Sequence, residues 1–336
     1  MNNVDRVWNK FFPLRLYFES NKLIIYTTCA SWPNIDKVFD YFHNNKKTKQ
    51  YLFITMDWGP TYRQNINYWK KYLKYEDMII FLSNDINTHK NRQLAGLKSY
   101  LINHNCWINE NIFTIKKYKK TYDAVITARA KKWKRIYLAN KIKNLAMIIN
   151  RWNIDGHRGE NDNSYIKMDK KFINNRRLKQ IELVNIYNIS RVGLCLSNYE
   201  GASYTSSEYL LCGIPVVSTK PEISENGLGG REFWYDDYNS ILCEPTESAI
   251  FDAVYNLINR NCDSNKIRMN HINKMIQQRE LFLNNILIPI FTKYKIDKDP
   301  RIFFYNNIFD NVTNKCKLLP EGHMIQYSQL EHLIIE

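Results

Sequence analysis

Two glutamates with seven residues between them, Glu200 and Glu208, lie on either side of a glycine turn. A buried strand is predicted at residues 192–197, just before the first glutamate, and a helix that starts near Ser206 carries the second. A turn from a strand into a helix presents free backbone N–H groups and the positive end of the helix dipole, which bind anions. Carboxylates bind phosphate poorly, but they accept hydrogen bonds from sugar hydroxyls. The pattern therefore predicts a site for a ligand that contains both phosphate and sugar.

A cluster of cations follows the strand predicted at residues 122–127 and consists of Arg129, Lys131, Lys132, Lys134 and Arg135. Because the carboxyl ends of parallel strands lie at one edge of the sheet, we expect this cluster near the glutamates. Arginine offers a bidentate fork and lysine a point charge, a combination suited to a diphosphate. One site would then contain cations that bind phosphates and carboxylates that bind sugar hydroxyls. This combination is typical of a nucleotide-sugar site. The alternative is that the whole run is a solvated basic face, and Lys131, Lys132 and Arg135 should tolerate alanine if they are only such a face.

A longer motif gives these residues a family resemblance. The two glutamates are followed by Leu-Cys-Gly-Ile-Pro-Val-Val-Ser-Thr at residues 211–219, and this pattern resembles the signature of retaining, group-1-type glycosyltransferases. Arg129 and Lys134 resemble the basic pair of that family. The similarity continues through residues 229–232 and 239–245 and covers residues 121–260 in all. It implies the GT-B fold, in which two Rossmann-like domains face a central cleft.

The resemblance also implies a role for each matching residue. Glu200, Arg129 and Lys134 would be catalytic: the glutamate positions the donor sugar, and the cations neutralise the leaving diphosphate. Glu208 would hold the ribose of the donor. The remaining donor-binding residues would be Gly201, Ala202, Ser203 and Tyr204, the last three through their backbone amides. The implied reaction retains the anomeric configuration and uses a nucleotide diphosphate-sugar as donor, with no cofactor and no metal.

The order of apolar runs predicts two α/β domains in tandem. Strands are predicted at residues 23–26, 51–55, 78–82, 122–127, 192–197, 215–218 and 240–243. Helices are predicted at residues 34–44, 62–73, 178–188 and 246–260, and residues 134–150 are interpreted as an amphipathic stretch. We therefore expect an acceptor-side domain at residues 1–120 and a nucleotide-sugar domain at residues 121–290. Residues 291–336 would form a C-terminal extension that packs back toward the first domain.

The first domain is expected to bind the acceptor. It contains only Gly59 and Gly96, whereas members of the resembled family carry a glycine-rich loop near the N-terminus. Asp57 and Trp58 follow the strand at residues 51–55, where an indole would pack on a sugar face and a carboxylate would bind its hydroxyls. The alternative is that Trp58 belongs to the core and Asp57 caps a turn.

The charge distribution predicts an anionic partner. Residues 1–180 carry 34 Lys and Arg against 14 Asp and Glu, whereas the remaining residues carry 14 against 19, which gives the net +15 of the chain. We expect a glycan or lipid-linked acceptor and peripheral contact with an anionic membrane, and no nucleic acid. Two alternatives stay open: a nucleotide-sugar epimerase or hydrolase on the same fold, or a non-catalytic protein that binds nucleic acid or membranes.

Several classes of protein are excluded by composition. No apolar run reaches the roughly 18 residues of a membrane span, and the N-terminus lacks the pattern of a signal peptide. The seven cysteines are odd in number and contain no C-x-x-C pair, which excludes a zinc ribbon. The cysteine pattern favours reduced thiols in the cytoplasm. Together with the family resemblance, it leads us to expect an enzyme of surface-glycan or glycoconjugate synthesis that is peripheral to the inner face of a membrane.

Overall fold

A computed structural model describes residues 11–12, 14–29, 35–44, 49–56, 65–129, 131–149, 173–174, 176–221, 229–231, 233–309, 316–318 and 325–326. The chain forms two compact units. Unit 1 comprises Met1–Trp107 and Gln277–Glu336, and unit 2 comprises Ile108–Ile276. The domain boundaries expected from the sequence, after residues 120 and 290, lie further along the chain than these.

The positions of both boundaries follow from local contacts. Residues 114–121 belong to unit 2 because the Asn188 side chain accepts a hydrogen bond from Lys116 N at 2.6 Å and donates one to Thr114 O at 2.9 Å. Residues after 276 belong to unit 1 because Phe282 packs edge-on against Trp107, with ring centroids 5.3 Å apart. Arg279 also donates to Cys106 O at 2.7 Å.

Twelve strands occur in the described part of the chain. They are β1 (Phe11–Phe12), β2 (Arg15–Glu19), β3 (Leu23–Cys29), β4 (Gln50–Met56), β5 (Ile79–Ser83), β6 (Ser99–Leu101), β7 (Tyr122–Ala128), β8 (Leu145–Ile149), β9 (Ser190–Cys195), β10 (Val216–Thr219), β11 (Ser240–Cys243) and β12 (Ile325–Gln326).

The α-helices in the same residues are α1 (Ile35–Asn44), α2 (Ile66–Lys70), α3 (Ile86–Leu94), α4 (Gln180–Asn188), α5 (Tyr204–Leu211), α6 (Glu247–Arg260), α7 (Ser264–Phe282), α8 (Ile288–Lys293) and α9 (Pro300–Asn307). A π-helical turn, Leu283–Leu287, connects α7 to α8. Caps define several helix starts: Thr246 accepts from Ala249 N ahead of α6, and Asp299 accepts from two amides ahead of α9.

Each unit contains one five-stranded sheet. In unit 1 the strand order is β2-β3-β4-β5-β6, parallel except for β2, which pairs antiparallel with β3. In unit 2 the order is β11-β10-β9-β7-β8 and every pairing is parallel. The predicted α/β class with two parallel sheets is therefore confirmed.

Both sheets have helices packed against apolar strands. In unit 1, Tyr26 and Phe53 pack against Phe42 of α1, with ring centroids 5.5 Å and 5.1 Å away. In unit 2, all five residues of β8 are buried, as are Val254 and Leu257 of α6. Strands that are apolar on both faces are typical of a parallel sheet covered on both sides.

One predicted element is wrong. Residues 134–150 are not one amphipathic stretch, because the chain makes two 3₁₀ turns, Lys132–Lys134 and Ile136–Ala139, and then enters β8. Arg135 between the turns has φ of 45°, a left-handed conformation that stops a regular helix. The apolar residues from Leu145 to Ile149 are a fully buried strand.

The C-terminal residues pack on the first sheet, as predicted. β12 pairs antiparallel with β1, and Arg15 of β2 donates to Cys316 O at 2.8 Å. Phe18 lies beside Phe291 and Phe303, with ring centroids 5.0 Å and 5.3 Å away. Unit 1 is thus completed by residues from both ends of the chain.

Candidate functional site

The sheet of unit 2 has a topological switch point between β7 and β9. After β7 the chain crosses to β8 on one side, and it then returns to β9 on the other side of β7. Helices on opposite faces diverge at such a point, and a crevice forms at the carboxyl ends of the two strands. The predicted cations follow β7 and the predicted glutamates follow β9, so the switch point is where both groups of residues converge.

The loop after β7 is fastened to the loop after β9. Asn198 N donates to Trp133 O at 2.7 Å, and the Trp133 ring stacks on Tyr199 with centroids 5.7 Å apart and planes 15° apart. These contacts join residues on either side of the switch point. They fix the positions of the two chain neighbours, Lys134 and Glu200.

Arg135 anchors the loop after β7, so its side chain is not part of a solvated basic face. It is 3% exposed, and its guanidinium donates to Leu196 O at 2.8 Å, to Thr219 Oγ1 at 2.7 Å and to Lys220 O at 2.9 Å. The guanidinium therefore crosses the ends of β9 and β10. Arg135 is a structural residue, whereas Lys132 is exposed, as predicted.

Lys134 and Glu200 form an ion pair at the centre of the site. Their side chains are 18% and 15% exposed, and Ser197 Oγ donates to the same carboxylate oxygen, Oε1, at 2.6 Å. Burial would raise the pKa of Glu200, but Lys134, the Ser197 hydrogen bond and Arg231 outweigh it and hold that pKa below its usual value. Glu200 is therefore an ionised acceptor of hydrogen bonds.

Arg129 is exposed at the end of β7. Its side chain makes no hydrogen bond or ion pair with any residue that the structure describes. The two predicted cations therefore differ: Lys134 is ion-paired with Glu200, whereas Arg129 presents an exposed positive charge at the same sheet edge.

The turn into α5 is built from small residues. Gly201 and Ala202 are buried, and Ser203 precedes the helix with φ of 57°, in the left-handed region that favours glycine. Ser203 Oγ lies 3.1 Å from Cys195 Sγ and 3.0 Å from Ser206 Oγ, and Ser206 Oγ lies 2.8 Å from Tyr235 Oη. The helix begins at Tyr204, two residues earlier than predicted, so its positive end is next to Glu200.

A buried arginine supports this turn from beneath. Arg231 is 0% exposed, and it donates to Ser197 O at 3.1 Å, to Ser218 Oγ at 3.4 Å and to Cys195 Sγ at 3.6 Å. Burial would raise the pKa of the Cys195 thiol, but the charge of Arg231 lowers it below its usual value. The sequence shows Arg231 only as part of a Gly-Gly-Arg motif, which does not reveal that it is buried under Glu200.

Glu208 lies one helical turn into α5 and connects back to β7. Its Oε2 accepts a hydrogen bond from Tyr187 Oη at 3.0 Å, and the same hydroxyl lies 3.3 Å from Thr127 Oγ1. Both predicted glutamates therefore belong to the carboxyl edge of the unit 2 sheet. Tyr187 was not recognised from the sequence, because it lies on α4, 21 residues before its partner.

Asp57 and Trp58, the residues predicted on the acceptor side, lie outside the described residues. Among the described residues, no group of three His, Cys, Asp or Glu side chains is arranged to hold a metal ion. No helix in the described part of the chain is long and apolar enough to cross a membrane.

Several solved structures have a fold similar to that of this chain. The chain is similar to a sucrose-phosphate synthase from Thermosynechococcus elongatus, with 15% identity and a TM-score of 0.52 over 76% of this chain and 70% of that one. It is also similar to a glycosyltransferase from Rickettsia africae, with 14% identity and a TM-score of 0.52 over 81% and 77% of the two chains. TarM matches at 18% identity and a TM-score of 0.53 over 79% of this chain and 55% of TarM.

The chain has the GT-B fold. The fold predicted from the glutamate motif is therefore confirmed, and at these identities the likeness is one of fold. No protein-family model and no curated protein matches the sequence. Within the GT-B fold, the residues of unit 2 described above form the candidate site.

Proposed function

We propose that this protein is a retaining glycosyltransferase that moves a sugar from a nucleotide diphosphate-sugar to an acceptor hydroxyl. One observation carries the proposal: the Lys134–Glu200 ion pair, the positive end of α5 and Glu208 all lie at the switch point of a parallel sheet. Proteins of similar fold include a sucrose-phosphate synthase and a glycosyltransferase. The names of these two proteins support a proposal of sugar transfer.

In this proposal the diphosphate lies between the cations and α5. Lys134 is already neutralised by Glu200, so a donor with two or more negative charges needs further positive partners. Arg129 supplies an exposed guanidinium, and the amides of Ala202, Ser203 and Tyr204 supply oriented dipoles beside Gly201. These groups neutralise the leaving diphosphate, and the proposal therefore assigns no step to a cofactor or metal.

The carboxylates take the two sugars of the donor. Glu200 is held ionised by Lys134 and Ser197 and would accept hydrogen bonds from hydroxyls of the transferred sugar. Glu208, further along α5, would accept hydrogen bonds from the ribose. This assignment separates their functions: Glu200 affects turnover, whereas Glu208 affects the affinity for the nucleotide.

The proposed step is a displacement on the front face of the sugar. The bond from the anomeric carbon to the diphosphate oxygen breaks and the electron pair leaves with the diphosphate. The acceptor oxygen forms the new bond to the anomeric carbon from the same side, and its proton passes to the leaving phosphate oxygen. No protein nucleophile takes part, so the enzyme contributes chiefly charge stabilisation and orientation.

For the acceptor we propose a glycan or lipid-linked glycan bound on the first domain, with Asp57 and Trp58 as contacts, and peripheral attachment to the inner face of an anionic membrane. The excess of cations in residues 1–180 supports an anionic acceptor or surface. None of the seven cysteines, all of which lie among the described residues, is in a disulfide, and this supports the proposal of a reducing cytoplasm. Co-sedimentation with anionic vesicles at low and physiological salt tests the membrane attachment, and no binding at low salt would refute it.

A thermal-shift screen with UDP, GDP, ADP and their sugars tests donor binding, because a ligand that binds the folded state raises the melting temperature. We expect one base to stabilise the protein. If no nucleotide does, and a polyanion binds with an affinity that collapses with salt, the protein is a binder of anionic polymers and the proposal is wrong.

Two glutamate variants test the assigned roles. Glu200→Gln should abolish transfer and leave the affinity for the free nucleotide diphosphate nearly unchanged. Glu208→Ala should weaken that affinity by about 1–3 kcal/mol, the value of a lost charge-assisted hydrogen bond. Equal affinity in the wild type and Glu208→Ala would remove the ribose role.

Alanine variants of the cations test the diphosphate site. Arg129→Ala should lower the rate at least about tenfold, the equivalent of 1.4 kcal/mol of transition-state stabilisation. Lys131→Ala and Lys132→Ala serve as matched controls from the same loop and should retain activity. Equal losses in all three variants would indicate a diffuse electrostatic patch.

A further inference from the structure

The Tyr187 hydroxyl occupies an unusual place beside the candidate site. The residue is 0% exposed, yet its Oη lies 3.0 Å from Glu208 Oε2 and 3.3 Å from Thr127 Oγ1. A phenol has one proton to donate, and an ionised carboxylate accepts it more strongly than a neutral hydroxyl. The shorter contact, to Glu208, is therefore the stronger of the two hydrogen bonds that the phenol can donate.

The ring of Tyr187 is fixed by packing. Tyr209 meets it edge-on, with centroids 4.8 Å apart and planes 79° apart, and Phe113 stacks on it at 6.5 Å. Tyr209 is itself held against Gly193, where an added Cβ would come within 2.1 Å of the Tyr209 ring. The hydroxyl of Tyr187 consequently has little freedom, and it sets the direction from which Glu208 receives a hydrogen bond.

We propose that Tyr187 is a positioning residue that orients the Glu208 carboxylate toward the vicinal hydroxyls of the donor's ribose. This inference rests on the proposed function, since it deepens the role assigned to Glu208. Burial and the charge of Glu208 both raise the pKa of Tyr187, so that the phenol remains a donor at neutral pH. A carboxylate oriented by a rigid donor in this way presents a defined geometry to a cis-diol.

Tyr209 provides a matched control within the same cluster. It is also 0% exposed and its ring packs against Tyr187, but its hydroxyl accepts a hydrogen bond from Thr127 N at 2.9 Å. Phenylalanine at either position keeps the ring and removes one buried hydroxyl. The two variants thus differ in which hydrogen bond is lost, that to the Glu208 carboxylate or that to the β7 backbone.

The experiment measures how well the protein distinguishes ribose from deoxyribose. Calorimetric titrations with UDP, GDP and ADP and with their 2′-deoxy counterparts give the ratio of dissociation constants for wild type, Tyr187→Phe and Tyr209→Phe. We expect the wild type to prefer the ribonucleotide by about tenfold, the value of one charge-assisted hydrogen bond. Tyr187→Phe should reduce this preference to about twofold or less, and Tyr209→Phe should keep it.

Each other outcome overturns the inference in a recognisable way. If the wild type binds none of the six nucleotides, the proposed function fails together with the inference. If the wild type prefers ribose and Tyr187→Phe keeps that preference, or if Tyr209→Phe loses it equally, only the positioning role fails. Should Tyr187→Phe not fold, Thr127→Val removes the second hydrogen bond of the phenol and keeps the one to Glu208, so we expect the ribose preference to persist, and its loss in that variant refutes the role.

Discussion

Removing the charge of Lys134 should destabilise the protein in a way that depends on pH. In Lys134→Met the aliphatic stem remains, but Glu200 loses its ion-pair partner while its side chain stays only 15% exposed. Breaking a buried ion pair costs about 3–5 kcal/mol. Partial exposure and the remaining Ser197 hydrogen bond reduce this cost to about 2–4 kcal/mol. At about 2–4 °C per kcal/mol for a unit of this size, the melting temperature should fall by about 4–16 °C.

The pH dependence identifies the cause. The pKa of Glu200 is lowered in the folded wild type, so its stabilisation is present above the unfolded pKa of about 4.5 and is lost as pH falls through the folded value. In Lys134→Met the carboxyl instead becomes protonated readily in the folded state. The difference between the two proteins should therefore be largest near pH 7.5 and shrink as pH falls below about 5.

Scanning calorimetry at several pH values measures this difference, with Lys132→Met as the control for loss of a nearby exposed lysine. In a Glu200→Gln background, Lys134→Met should cost much less, because no buried carboxylate is left unpaired. The reasoning is refuted if Lys134→Met is as stable as the wild type at pH 7.5, or if its deficit at pH 4.5 is undiminished.

Three further predictions concern stability. Arg135→Ala should lower the free energy of unfolding by about 3 kcal/mol, because three acceptors, two of them buried, lose their donor, whereas Lys132→Ala should change it by less than about 0.5 kcal/mol; equal melting temperatures would contradict the anchoring role. Ser203→Gly should be more stable than Ser203→Ala by about 1 kcal/mol in thermal melts, because only the alanine keeps a side chain at positive φ; the reverse order would show that the left-handed conformation is unstrained. His271 is buried, neither ring nitrogen has a hydrogen-bond partner among the described residues, and burial, followed by Lys274 and Arg268, lowers its pKa to about 3. Its neutral form therefore contributes stability that is complete above about pH 6.5 and falls as pH drops toward 3, so His271→Leu should flatten the decline of melting temperature across that window, and an unchanged pH profile would count against it.

The sequence allowed prediction of the site residues that lie a few positions after a predicted strand. Glu200, Lys134 and the start of α5 come directly after strands, so apolar runs and glycine placement located them at one sheet edge. Arg135 was misjudged because its acceptors lie 61 to 85 residues further along the chain, and sequence spacing cannot show that a cation crosses two strand ends. Tyr187 was missed for the same reason, since its partners Glu208 and Thr127 belong to other elements.

The elements of the fold were likewise predicted in part. Apolar runs predicted seven of the strands, but residues 134–150 were misread because a left-handed residue and a buried strand together imitate an amphipathic pattern. The short β6 has only three residues, which is too few for a periodic signal. The retaining mechanism and the acceptor contacts stay predictions.

The interleaved composition of unit 1 has a consequence for biosynthesis. Unit 2 is one continuous stretch, Ile108–Ile276, and it is synthesised before the second segment of unit 1, Gln277–Glu336. Unit 1 must wait for those residues, because Arg15 and β1 find their partners at Cys316 and β12, about 300 positions later. Unit 2 should therefore be able to fold first during translation, and unit 1 cannot gain these partners until residues 316–326 have been made.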